Sequence, residues 1–116
     1  MLEIVKRTKS SNLNQGERKK FKHKEVEEYL KGEWIREFSG IKNASEVRRR
    51  LRITSESQDK RDFNMFSGFR LELIQGTKNH YSIRTGSGQW RIFFIWEDNE
   101  AWEIDLSKHD YKKVKR

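Results

Sequence analysis

The chain has no cysteine and no proline. Without cysteine there are no disulfides and no thiol nucleophile, which suits a reducing compartment. Without proline, every turn must rely on Gly, Asn, Asp and Ser. Hydrophobic residues are scarce as well, at 33% against 38% charged. No stretch approaches the roughly 18 apolar residues of a membrane span. At the N-terminus Met1-Leu2-Glu3-Ile4-Val5 runs straight into Lys6-Arg7, with no apolar signal-peptide core. The expected location is therefore cytoplasmic, without membrane contact. Three His and no Cys give no zinc spacing, so neither a metal nor another cofactor is expected.

Aromatic residues and positive charge fill the space that these absences leave. At 116 residues the chain has room for one domain and one lean core. Four Trp and seven Phe can fill that core, since each buries a large area. The formal net charge is +8 and uneven. Residues 1–20 carry six Lys/Arg against two Glu, and residues 107–116 carry five against one Asp. Such runs can simply keep a protein soluble. Flanking an aromatic-rich middle, they also suit phosphate contact through counterion release.

The chain divides into a polar, basic arm over 1–20, a folded unit over 21–109 and a basic tail over 110–116. Leu2-Ile4-Val5 allows a short strand, and 6–20 reads as a loop or mobile arm. Val26, Tyr29 and Leu30 recur at helical spacing, with Gly32 at the stop position. Trp34, Ile35, Phe38 and Ile41 follow as another helical turn or an apolar connector. Asn43 reads as an N-cap, with Glu46 completing a loose capping box. The helix it opens runs to about Ser57, with Ala44, Val47 and Leu51 inward and Arg48, Arg49 and Arg52 on a solvated face.

From Phe69 the hydrophobic period changes from 3.6 to 2. Four alternating runs are expected as strands at 69–74, 80–85, 89–96 and 101–107. Gly76-Thr77-Lys78-Asn79, Gly86-Ser87-Gly88 and Asp98-Asn99 join them as turns. Helices first and strands after give an α+β fold. N-terminal helices pack on one face of a single antiparallel sheet of about four to five strands.

Alternate strand residues point to opposite faces. If Leu71, Leu73, Ile83, Trp90, Ile92, Phe94, Trp102, Ile104 and Leu106 face the helices, then Glu72, Arg84, Arg91 and Ser107 share the other face. His109 joins them if its strand continues. A one-residue bulge would break this inference. Phe93 and Ile95 fall there too, as a second core layer, a stacking platform for bases or an apolar seat for a partner.

A carboxylate, guanidinium groups and an imidazole on one surface suit RNA cleavage by a ribose 2′-OH. Glu72 can take the hydroxyl proton, Arg91 can hold the phosphate, and His109 can protonate the leaving oxygen. Arg84, Arg70, Lys78, Lys108 and Lys112 are the candidate RNA contacts. Each residue also has a plainer reading: Glu72 can pair with Arg84 or Arg70 across strands, Arg91 can be an ordinary surface residue, and His109 can be inert.

Several segments resemble the HigB branch of the RelE-type toxins. They are Phe21-Lys22-His23-Lys24, Phe69-Arg70-Leu71-Glu72-Leu73-Ile74-Gln75-Gly76, Tyr81-Ser82-Ile83-Arg84, and Gln89-Trp90-Arg91-Ile92-Phe93-Phe94, with His109 at the family's terminal His. The middle motif is the most specific. Gln75 replaces the family's Lys, and Ser107-Lys108 replace its Asp-Tyr. Of the family's functional side chains, Arg91 and His109 carry over. The YoeB-type toxins resemble this chain in placing a Glu, an Arg and a His at about the separations of Glu72, Arg91 and His109. The resemblance implies a type II toxin, a metal-independent endonuclease that cuts mRNA on the ribosome and stops translation. It also implies a HigA-like helix-turn-helix antitoxin, with operator DNA bound through the toxin–antitoxin complex. Two other readings are a non-catalytic RNA- or protein-binding module and a degenerate toxin serving as corepressor.

Charge in the C-terminal run gives a first test. Deleting Asp110–Arg116 is expected to weaken RNA or ribosome binding and to flatten its dependence on salt. Titrations at several ionic strengths measure both, and an unchanged slope identifies the tail as solvated end only.

Overall fold

A computed structural model of the chain describes residues 18–66 and 68–108. The expected strand at Leu2-Ile4-Val5, the polar stretch 6–20 up to residue 17 and the basic tail lie outside the described residues, whereas Lys19 and Lys20, expected in that loop or arm, bond to Glu103 and Ile104. Two α-helices come first, α1 over Lys24–Leu30 and α2 over Ala44–Glu56. Short 3-10 turns at Arg36–Phe38 and Lys60–Met65 follow each of them. The sheet comprises β1 (Glu72–Leu73), β2 (His80–Arg84), β3 (Arg91–Glu97) and β4 (Glu100–Ser107), antiparallel and in sequence order. Among the described residues no helix is long and apolar enough to cross a membrane.

The helices lie on one face. α2 packs on β4 and against α1. Val26, Tyr29, Leu30, Val47 and Leu51 meet Ile83, Ile92, Phe94, Ile104 and Leu106 in one buried cluster. Trp90 and Leu71, expected in the core, are partly buried at its margin. In the connector Ile35, Phe38 and Ile41 are buried, whereas Trp34 is 74% exposed. The turn Lys60–Met65 adds Phe63, whose ring stacks on Phe94 at 5.3 Å and meets Trp96 edge-on at 5.9 Å.

Four expectations about the strands and the helix cap need correction. The first strand is two residues long, because Arg70 turns into the left-handed region at φ +53 and interrupts the run. Sheet contact still brackets it, through Arg84 N–H to Phe69 O at 2.7 Å and Ile74 N–H to His80 O at 2.8 Å. Leu73 does not enter the core and is 47% exposed. Asn43 holds the N-cap position, but its side chain makes no capping bond. Instead its Nδ2 donates to Gly86 O at 3.2 Å, and Glu46 turns to Arg49 and Arg50. Finally, β4 carries a bulge. Phe93 opposes Asp105 and Ile95 opposes Trp102, so two residues, Glu103 and Ile104, face the single Phe94. Glu103 takes φ +51, and the parity of β4 flips there. Ala101 therefore enters the core at 0% exposure, and Trp102 points to the opposite face from Ile104 and Leu106.

The Asp98-Asn99 turn is as expected. Both residues have positive φ, 55° and 61°, which suits a two-residue hairpin whose twist matches the strands. Residues 19–22 run parallel to β4, with Lys22 N–H to Ile104 O at 2.9 Å and Ile104 N–H to Lys20 O at 3.0 Å. Arg18 and Lys20 lie over the Trp102 ring at 4.9 and 5.1 Å, and Arg18 also pairs with Glu97.

Two helix arginines are structural. Arg48, expected on a solvated face, donates to Tyr29 O at 2.6 Å and to Glu33 O at 3.2 Å, and lies over the Tyr29 ring. Arg50 is buried. Its Nε meets Glu46 Oε2 at 2.6 Å, and its Nη1 donates to Gly68 O at 3.2 Å and Arg84 O at 3.0 Å. A Cβ at Gly86, where φ is +85, would sit 3.5 Å from the Arg50 guanidinium in a backbone conformation that favours glycine.

Hydrogen bonds from Arg49 and then Arg50 hold the Glu46 carboxyl below its usual range. Its folded value is thus lower than its unfolded one, about 4.3. That stabilisation is complete above the unfolded value and is lost as pH falls through the folded one. Glu46→Gln is expected to melt below the native chain at pH 6, with the gap closing below about pH 4. Arg50→Met is expected to cost about 2–3 kcal/mol in denaturant titrations, because two carbonyls and a carboxylate lose their donor.

Candidate functional site

On the face of the sheet turned away from the helices, two of the cross-strand rows carry candidate residues. One row is Glu72, Ser82, Phe93 and Asp105, each opposite the next. The other is Arg84, Arg91 and Ser107. The register of β1 through β3 builds this arrangement, because directly paired residues share a face. The bulge at Glu103 lies beyond it, so the parity that placed Arg91 and Ser107 together holds at this end of β4.

Glu72 and Arg91 come together across β2. Arg91 Nη1 lies 3.6 Å from Glu72 Oε1, and each side chain is 23% exposed. This carboxylate therefore pairs with Arg91 across the sheet. Arg91 Nη1 is buried, and it makes no hydrogen bond. Buried polar nitrogens normally have a partner, so the exception marks a position suited to an anionic oxygen. Arg84 is exposed and directly opposite Arg91. Two like charges so placed repel one another, and an anion between them relieves that cost.

The other expected RNA contacts are more scattered. Arg70 is exposed in the segment before β1, and Lys78 is exposed in the β1–β2 connection. Lys108 is exposed at the end of β4, with its Nζ 5.5 Å from the Trp90 ring. His109 and Lys112 lie outside the described residues. Phe93 is 6% exposed, which favours the second-layer reading over an open stacking platform. Ile95 is half-buried. Strand alternation could have added Asp105 and Ser82 to the candidate face. Arg50 carried no such signal, since nothing in a helical pattern marks which of several arginines meets a backbone carbonyl.

A family model described as the RelE-like toxin of the type II toxin–antitoxin system HigB matches residues 19–109. The chain belongs to this HigB-like toxin family. No curated protein matches it. Family membership implies an antitoxin as partner in general. The α+β arrangement, with its four-stranded antiparallel sheet, is that of a RelE-like toxin.

The paired arginines predict an anion effect that requires no RNA. Inorganic phosphate is expected to raise the melting temperature of the native chain by mass action. Arg91→Ala is expected to remove most of that gain at matched ionic strength. An equal gain in Arg91→Ala places phosphate binding elsewhere.

Proposed function

We propose that this HigB-like toxin is a ribosome-dependent endonuclease that cuts mRNA and stops translation. The observation that carries this reading is the pairing of Glu72 with Arg91, whose buried Nη1 lacks a hydrogen bond. At rest the carboxylate balances the guanidinium. An RNA phosphate entering between Arg91 and Arg84 takes over that balance. With the cation neutralised by phosphate, the Glu72 carboxylate becomes a better proton acceptor.

Chemistry follows from these positions. Glu72 removes the ribose 2′-OH proton, and the oxygen forms a bond to the adjacent phosphorus. Arg91 stabilises the charge that builds on the phosphoryl oxygens. The bond from phosphorus to the 5′-oxygen breaks, and His109 supplies the proton to that leaving group. A cyclic 2′,3′-phosphate and a 5′-hydroxyl result. Arg70, Lys78, Lys108 and Lys112 hold neighbouring phosphates by charge. The proposed partner in the cell is a HigA-like helix-turn-helix antitoxin, through which the complex reaches operator DNA.

Induced expression is expected to arrest growth and to leave new 5′ ends within translated messages. Arg91→Ala is expected to abolish both effects, because its charge is needed as the transition state forms. Glu72→Gln and His109→Gln are each expected to slow cutting by roughly 10²–10⁴-fold. Full activity in Glu72→Gln removes the carboxylate from the mechanism. Growth without any cutting by the native chain favours the corepressor or binding-module reading.

A further inference from the structure

A cavity opens on the same sheet face as Glu72 and Arg91. Its volume is about 260 Å³. Phe93 and Ile95 form an apolar wall, and Lys22, His80, Glu103 and Asp105 bring polar groups to it. The segment before α1 thus contributes to the cavity along with β2, β3 and β4. Phe93 lies two residues from Arg91 on one face of β3, about 7 Å along the strand. A nucleotide next to a phosphate held at Arg91 can therefore reach this cavity with its base.

The lining decides what kind of group fits. Two carboxylates beside the wall disfavour a phosphate. A planar, neutral group with its own donors and acceptors suits the mixture better. Carboxylates only accept hydrogen bonds, whereas the Lys22 ammonium only donates. Asp105 Oδ1 already accepts the Leu106 N–H at 2.9 Å, which leaves Oδ2 as the oxygen for a ligand. Guanine presents adjacent N1–H and N2–H donors, which suit carboxylate oxygens, and O6 and N7 acceptors, which suit a lysine. Adenine sets a single amino group beside an acceptor nitrogen, and that nitrogen meets a carboxylate unfavourably.

Glu103 adds a local observation. It is the bulge residue of β4, at φ +51. Its N–H and that of Ile104 bond to Lys19 O and Lys20 O, at 2.7 and 3.0 Å. Pairing with the N-terminal segment thus accounts for the backbone path, for which glycine is the easier residue. Glu103 is itself one of the residues that line the cavity.

We infer that this cavity receives an unstacked guanine base of the RNA, beside the phosphate held at Arg91. The inference rests on the nuclease reading above, and it deepens that reading by naming the base.

Two measurements separate the inference from its foundation. The first maps cut sites in a translating extract. Native toxin is expected to cut with guanine enriched next to the broken bond, and Asp105→Asn to lose about tenfold or more of that preference while still cutting. Glu103→Gly is expected to lose preference as well, while melting at or above the native temperature because glycine suits the bulge. The second measures binding of a short, 2′-O-methylated RNA, which cannot be cut. Its single guanine is exchanged for adenine or for hypoxanthine, which lacks the N2 amino group. Tighter binding of the guanine form, lost in Asp105→Asn, supports the inference even if no message is cut, an outcome that would overturn the nuclease reading alone. Cutting and binding indifferent to guanine overturn the inference and leave the nuclease standing. A guanine preference that persists in both folded variants also overturns it.

Discussion

The Arg50 guanidinium reaches out of α2 to the carbonyls of Gly68 and Arg84, while its Nε is held by Glu46 one turn earlier. Those two carbonyls belong to the chain entering β1 and to the end of β2. Between them they fix the approach of the short strand that carries Glu72 and the position of Arg84. The helix layer and the polar face of the sheet are thus connected by one buried cation. Its charge is matched by a carboxylate, and its other hydrogen bonds end on two backbone carbonyls. Gly68 and Gly86, both in the left-handed region, border the same guanidinium. The loops at this end of the sheet are shaped around it.

Much of the sheet was legible because burial on one face forces a period of two. In β2 and β3 that period survives intact: Ile83, Ile92 and Phe94 are buried, and Arg84 and Arg91 are on the other side. It failed in β4 for a definite reason. Glu103 is an extra residue opposite β3, and alternation cannot register an insertion that leaves the spacing of large residues unchanged. Trp102 therefore looked like Ile104 and Leu106 while facing the other way. The β1 segment misled differently, since Phe69, Leu71 and Leu73 alternate well but Arg70 breaks the extended backbone. Phe63 also had no periodic context, because a short 3-10 turn repeats nothing.

Candidate-site residues were legible where geometry depends on register alone. Glu72 and Arg91 come from different strands with β2 between them, and parity was sufficient to put both on one face. Their 3.6 Å approach adds what alternation cannot give, namely that the two side chains reach each other. The reading of Arg48 as solvated was wrong because carbonyl groups in and just beyond the C-terminal turn of α1 were not visible as partners in the sequence. Charge patterns show where cations lie. They do not show which of them satisfy the backbone.

The parallel pairing of residues 19–22 with β4 has a temporal consequence. Phe21 bridges to Ile104, so a segment made early waits for one made near the end. Contacts of such long sequence separation slow folding, since a large loop must close before they form. During synthesis at about 5–20 residues per second, the sheet edge stays open until β4 has emerged. The wall of the cavity at Lys22, Glu103 and Asp105 is assembled by that same closure. A chain still being made on a ribosome therefore lacks this part of its surface, and the completed surface first exists after most of the protein has left the place of its synthesis.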